Sequence, residues 1–214
     1  MIYRIFASAI RIGLLTFNYF YHMSTAIETL TKIIKGRRSV FPASYIQKEI
    51  PTTVIEQILE SANYAPTHKL TQPWRFVVMR KEAKTRLGQT LGQLYTATVP
   101  AEKFMQKKFD SFAQKTAQAD CILAVNIQFH PDKLPNWEEI AAVACAVQNM
   151  ALTAEALNVG AYWSSPPLID DLGEFLGLAA NEKCFGLFYM GYHEEEPREA
   201  NRTPIADKVK WLEH

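Results

Sequence analysis

Residues 121–158, CILAVNIQFHPDKLPNWEEIAAVACAVQNMALTAEALN, carry the two features on which the fold turns. Cys121–Ile127 is an almost continuous apolar run, which reads as a strand buried on both faces near the centre of a sheet. Pro131 to Trp137 follows as a loop. From Glu138 to Asn158 the period becomes helical, and Val143, Val147, Met150, Ala151, Ala154 and Leu157 share one face. The other faces carry mostly alanine, so this helix is expected to be buried nearly all round. Its stripe of Ala, Val and Met has little bulk. Two arrangements would cover it: tight packing within the chain, or close packing against a helix of a second copy.

Upstream, Trp74–Met79 is short, β-branched and aromatic, the composition of another strand. Residues 81–119 read as polar helices broken near Pro100. A helix starts at Pro51-Thr52-Thr53, with Val54, Ile55, Ile58, Leu59 and Ala62 on one face. Asn63-Tyr64-Ala65-Pro66 closes it, because the residue before a proline is pushed out of the α region. The first helix starts at Ser24 or Thr25, has Glu28 at capping-box distance, repeats Ile27, Leu30, Ile33 and Ile34, and ends at Gly36. Downstream, Gly160 ends the long helix, and Ala161–Ser165 is a strand stopped by Pro166-Pro167. Asp170–Leu176 is a short helix, Gly186–Tyr192 a last strand, and Glu194 to His214 a charged tail. The order α, α, β, α, β, α, β, α, β, with no linker or repeat, gives a helix-rich α+β sandwich around a small sheet.

At 214 residues, with 48% hydrophobic and 21% charged residues, the chain can bury a substantial core. A net charge of +1 gives no electrostatic case for a nucleic-acid partner. Cys121, Cys145 and Cys184 lie far apart in apolar runs, without metal-ligand spacing. They read as small buried hydrophobes in a reducing compartment, which points to the cytoplasm. Residues 1–22 are apolar and aromatic, interrupted by Arg4 and Arg11, and too short between charges to span a bilayer. They are either an upstream extension of a chain whose natural start is Met23, or a hydrophobic anchor at a membrane surface; a spanning role is not expected. Residues 23–214 are expected to form the functional domain.

There is no G-x-G, no P-loop, no G-x-S-x-G and no H-E-x-x-H, and the five histidines lack metal-ligand spacing. What stands out instead is Arg37-Arg38-Ser39 at the end of the first helix. Two guanidiniums and a hydroxyl suit a phosphorylated ligand, since arginine forks match phosphate oxygens. Alone, the same pair would serve a helix C-terminus equally well. A second stretch, Ala65-Pro66-Thr67-His68-Lys69-Leu70-Thr71-Gln72-Pro73-Trp74, sets His68 and Gln72 on a loop stiffened by prolines at both ends, which suits ligand binding. Trp74 itself reads as core.

Together with Trp137-Glu138-Glu139, the alanine-rich helix, Trp163-Ser164-Ser165 and the tail Pro197…Arg202…Trp211, these stretches resemble the nitroreductase family across about residues 25–212. The resemblance implies a three-layer sandwich, with a small, mostly antiparallel sheet flanked by helices and a long buried central helix at a dimer interface. It implies a homodimer with two FMN sites at that interface, each built from both chains, using NADH or NADPH to reduce nitroaromatics, quinones or other electron-poor acceptors by ping-pong hydride transfer. Arg37, Arg38 and Ser39 would hold the phosphate and ribityl chain. His68 and Gln72 would reach the flavin from the other subunit, with Tyr64 beside them. Trp163, Ser164 and Ser165 would lie against the ring, and Arg202 would be a second phosphate cation. No side chain is assigned a catalytic role, and no metal is expected. Two departures bear on the acceptor: Val40-Phe41-Pro42 stands where the family often has a further basic residue, and Pro166 where it often has glycine. A flavin binder without efficient turnover, and a related dehalogenase-type reductase, remain the rival readings.

Overall fold

The central strand is where its composition puts it. In the computed structural model, which describes residues 25–213, the sheet consists of β1 (Trp74–Met79), β2 (Cys121–Gln128), β3 (Gly160–Ser164) and β4 (Glu182–Gly191). The order is β1-β2-β4-β3 and every neighbouring pair is antiparallel. Residues 121–127 of β2 are all buried, because both faces of the sheet are covered. The readings made for residues 1–22, for Met23 as a start and for a Ser24 cap lie outside the described residues.

Alternation along the strands sorts the core into two halves. Cys121, Leu123, Val125 and Ile127 of β2 face α2 (Thr52–Ala62) and α5 (Asn136–Ala156), where Ile55, Ile58, Val143, Val147 and Met150 meet them. Ile122 and Ala124 face α3 (Glu82–Thr98) and α4 (Gln106–Gln118), through Leu87, Leu91, Tyr95 and Phe112. The result is the expected three-layer α+β sandwich, with Trp74 in its core. These elements belong to one compact unit, residues 38–197. A second unit holds residues 25–37 and 198–213. In it, residues 25–36 form helix α1, and Ile205–Lys208 makes a 3-10 turn. Ile27, Leu30 and Ile34 of α1 are exposed, as are Trp211 and Leu212 of the tail. No helix among the described residues is long and apolar enough to cross a membrane.

Several details differ from the sequence expectations, among them α5, which begins at Asn136 rather than Glu138. Strand β4 starts at Glu182 rather than Gly186, because Glu182, Lys183 and Cys184 pair with Gln128, Ile127 and Asn126 beyond a bulge. The short helix expected over 170–176 is a 3-10 turn, Pro167–Asp171, followed by a single turn α6 (Gly173–Leu176); Leu172, with ψ of 0°, separates them. Helix α5 is not covered all round by its own chain. Its sheet side is buried, while Cys145 is exposed on the opposite side and Ile140 on the flank. Cys145 is therefore not a buried hydrophobe, unlike Cys121 and Cys184.

Candidate functional site

Arg38 and Ser39 lead out of α1 and run directly onto the sheet edge. The Val40 N–H donates to the carbonyl of Ala161 in β3 at 3.0 Å, and the Ile46 N–H to Tyr192 at 2.8 Å. Between them the Tyr45 hydroxyl lies 2.8 Å from the Val40 carbonyl and 3.1 Å from that of Tyr189. Burial pushes the Tyr45 phenol well above its ordinary range, so it remains protonated and a donor. Glycine is needed opposite it: a Cβ on Gly191 would stand 2.5 Å from the Tyr45 ring. The Phe41 ring packs tilted, at 49°, against Tyr162 of β3, with centroids 4.5 Å apart. Ser39 is exposed and Arg38 half-buried, immediately before the Val40 that bonds β3; that strand ends in Trp163 and Ser164, with the exposed Ser165 following.

Trp163 closes this edge. It pairs with Phe188 across β3 and β4 and packs against Phe185 at 5.2 Å, and its indole fills the space a side chain at Gly186 would need. Its Nε1–H, packed over Gly186, is buried without a hydrogen-bond partner among the described residues. Arg37 and Arg202 lie in the other unit. The Arg37 N–H continues α1 by donating to Ile33 at 3.0 Å, and the exposed Arg202 guanidinium donates to the Asn201 carbonyl at 2.7 Å.

His68 and Gln72 occupy a loop held under strain. Lys69, Leu70 and Gln72 are left-handed, with φ of 49°, 53° and 44°. Each such residue costs on the order of 1–3 kcal/mol and persists only where the surroundings impose it. Several bonds impose it here. The Gln72 N–H donates to Thr67 Oγ1 at 3.0 Å, and Arg75 donates to the Gln72 carbonyl at 2.9 Å. Lys69 Nζ donates to the Lys133 carbonyl at 2.8 Å, and His68 Nδ1 lies 2.5 Å from Glu138 Oε2. The loop displays Tyr64 and Leu70 to solvent, 77% and 80% exposed.

Glu138 stands in the first turn of α5, and its neighbour Glu139 is 1% exposed. Glu139 accepts from the His130 N–H at 2.8 Å and lies 2.7 Å from His130 Nδ1, tying the loop before α5 to its first turn. Of the residues that shape the site, Tyr45, His130, Glu138 and Glu139 had no role assigned from sequence. The only signal was the Glu138-Glu139 pair in a helical first turn, where carboxylates favour the dipole anyway.

One chain does not bring these groups together. Loop 68–72 precedes β1, on one edge of the sheet, while Arg38, Ser39 and Trp163–Ser165 belong to the β3 edge. Three strand spacings separate the edges, roughly 14 Å.

A sandwich of this topology, with an arginine–serine exit from a helix along one sheet edge and a strained polar loop at the other, defines a class of α+β proteins. The model of the nitroreductase family matches residues 34–192, and the chain belongs to that family. The match includes Arg37 to Ser39, Tyr64, His68, Gln72 and Trp163 to Ser165, but ends before Arg202. YfhC of Bacillus subtilis (strain 168), provisionally named an NAD(P)H nitroreductase, is 30% identical over 182 residues, covering 84% of this chain and 92% of its own. The nitroreductase-like family protein from Bacillus cereus superposes with a TM-score of 0.76 at 24% identity, over 86% of this chain and 96% of that one. The FMN-dependent nitroreductase NfnB from Mycobacterium smegmatis, solved in complex with NADPH, gives a TM-score of 0.71 at 15% identity, over 87% and 99%.

Proposed function

We propose that the protein is an FMN-dependent oxidoreductase that takes electrons from NADH or NADPH and gives them to nitroaromatics, quinones or other electron-poor acceptors, working as a homodimer. The observation that carries this reading is the hydrogen bond from Val40 to Ala161. It holds a phosphate-suited Arg38-Ser39 pair beside the Trp163-Ser164 strand, within the segment shared with the family. The donor set fits FMN: cationic and hydroxyl groups at the arginine–serine turn and a preformed polar loop. The names of YfhC and NfnB, an NAD(P)H nitroreductase and an FMN-dependent one, support the same assignment.

The residues divide by task. Arg37, Arg38 and Ser39 bind the phosphate and ribityl end, with Arg202 as a further phosphate cation. Trp163, Ser164 and Ser165 line the ring, and the β3–β4 pairing holds the first two. Tyr64, His68 and Gln72 come from the partner subunit, which the separation of the two sheet edges within one chain requires if they are to meet the same ligand. When bound, FMN supplies the two-electron chemistry, accepting hydride from the nicotinamide and passing it to the acceptor. The protein's contribution is positioning, and donors that favour negative charge on the ring.

The absorption spectrum of the purified protein tests this. A flavin spectrum that bleaches anaerobically with NADH or NADPH and returns on adding a nitroaromatic or quinone is expected; a flavin that never bleaches would remove the enzyme reading. Arg37→Ala is expected to purify largely without FMN, and full occupancy in that variant would overturn the phosphate assignment.

A further inference from the structure

We propose that Glu138 is a positioning residue for His68, holding the imidazole protonated at Nδ1 and fixing its ring so that Nε2 is the nitrogen turned toward a bound flavin. This rests on the assignment of His68 to the flavin site. A carboxylate only accepts, so at 2.5 Å from Glu138 Oε2 the His68 Nδ1 must carry the proton. Which nitrogen of a histidine is protonated is set by the bond the other makes, and Nε2 makes none among the described residues. The ring needs such a clamp. The His68 side chain is 59% exposed, whereas that of Glu138 is 22% exposed.

The clamp itself is anchored. Glu138 stands in the first turn of a 21-residue helix, where the dipole favours a carboxylate. The neighbouring Glu139, bound twice by His130, fixes that turn against the preceding loop. Loop 68–72 is held a second time by Lys69 on the Lys133 carbonyl, so His68 and α5 keep one register. Trp137-Glu138-Glu139 thereby gains a role that its place in the helix does not reveal.

Two readouts test this on the full-length chain freed of flavin: the tautomer of His68, from ¹⁵N–¹H spectra of histidine-labelled protein, and the dissociation constant for FMN. The His68 signal is the one lost in His68→Ala. In the native chain the His68 proton is expected on Nδ1. Glu138→Ala is expected to release it and to raise the FMN dissociation constant about tenfold, the change that corresponds to one charge-assisted hydrogen bond. Glu138→Gln, which keeps an acceptor oxygen, recovers most of the affinity. Because Glu138 acts through His68, the double variant His68→Ala/Glu138→Ala binds no more weakly than His68→Ala. A native proton on Nε2 alone, an unchanged FMN affinity in Glu138→Ala, or additive losses in the double variant would each overturn the positioning role. Unchanged affinity in His68→Ala would instead overturn the placement of His68 at the flavin.

Discussion

Gly186 shows how one missing side chain shapes the site. Its φ is 156°, and an added Cβ would lie 2.2 Å from Trp163 Nε1 and 2.9 Å from the Ser164 carbonyl. The indole cannot move aside without leaving the β3–β4 edge, so Gly186→Ala is overpacked. A loss of about 1–3 kcal/mol in urea denaturation is expected, together with weaker flavin binding as Trp163 shifts. A second prediction at this scale concerns Cys121 and Cys184. Burial pushes their thiols from 9.0 up to about 12 and about 11. Below the unfolded value both states keep the proton. Above it the unfolded thiol ionises while the buried one does not, so the stability these groups contribute is lost progressively as pH rises toward the folded values. Each group should cost up to about 1.4 kcal/mol per pH unit in that window. Denaturation midpoints measured from neutral to strongly alkaline pH should fall faster above the ordinary thiol range, and Cys184→Ala should flatten the fall. An unchanged slope in that variant would remove Cys184 from the account.

At the scale of elements, the parts written in local patterns were legible and those made by distant pairing were not. Cys121–Ile127 needed only its uninterrupted apolar run to be placed at the sheet centre, and α5 only its helical repeat. The start of β4 was hidden because Glu182 and Lys183 look like loop residues until Gln128 and Ile127 are set opposite them. The open side of α5 was misjudged because alanine fits both a buried face and an interface. The candidate site divides the same way. Arg37-Arg38-Ser39 and His68 stood out by chemistry and company. The Glu138 bond to His68 spans 70 residues, and no local rule marks it. Glu139 yields the prediction proper to this scale. Both its oxygens are bound by His130 and it is almost fully buried. Glu139→Ala should lower stability by roughly 2–3 kcal/mol. It should also speed amide exchange at Lys133 and Leu134, which bond the His130 carbonyl. Glu139→Gln should lose less.

For the whole molecule, the decisive fact is that the two halves of the candidate site sit on opposite edges of one sheet. If a single chain formed a complete site, Arg38 and His68 would have to meet across roughly 14 Å of strands. If two chains pair about a two-fold axis, each supplies the edge the other lacks. The open side of α5, where Cys145 is exposed, then becomes contact surface instead of facing water. These alternatives part cleanly in a subunit-mixing experiment. Arg38→Ala and His68→Ala chains, each purified alone, should hold little FMN. Co-expressed, they form hybrids in which one site carries both lesions and the other carries neither. With random pairing, hybrids are half of all dimers, so about one quarter of the sites should bind FMN normally. Separate affinity tags on the two chains allow the hybrid to be isolated, and it should contain one flavin per dimer. A hybrid that stays colourless would place Arg38 and His68 of the same chain at the same site and remove the two-chain construction. In the same preparation, Cys145 should resist thiol reagents while the dimer persists and react once dilution separates the chains, which ties the open side of α5 to the assembly that completes the site.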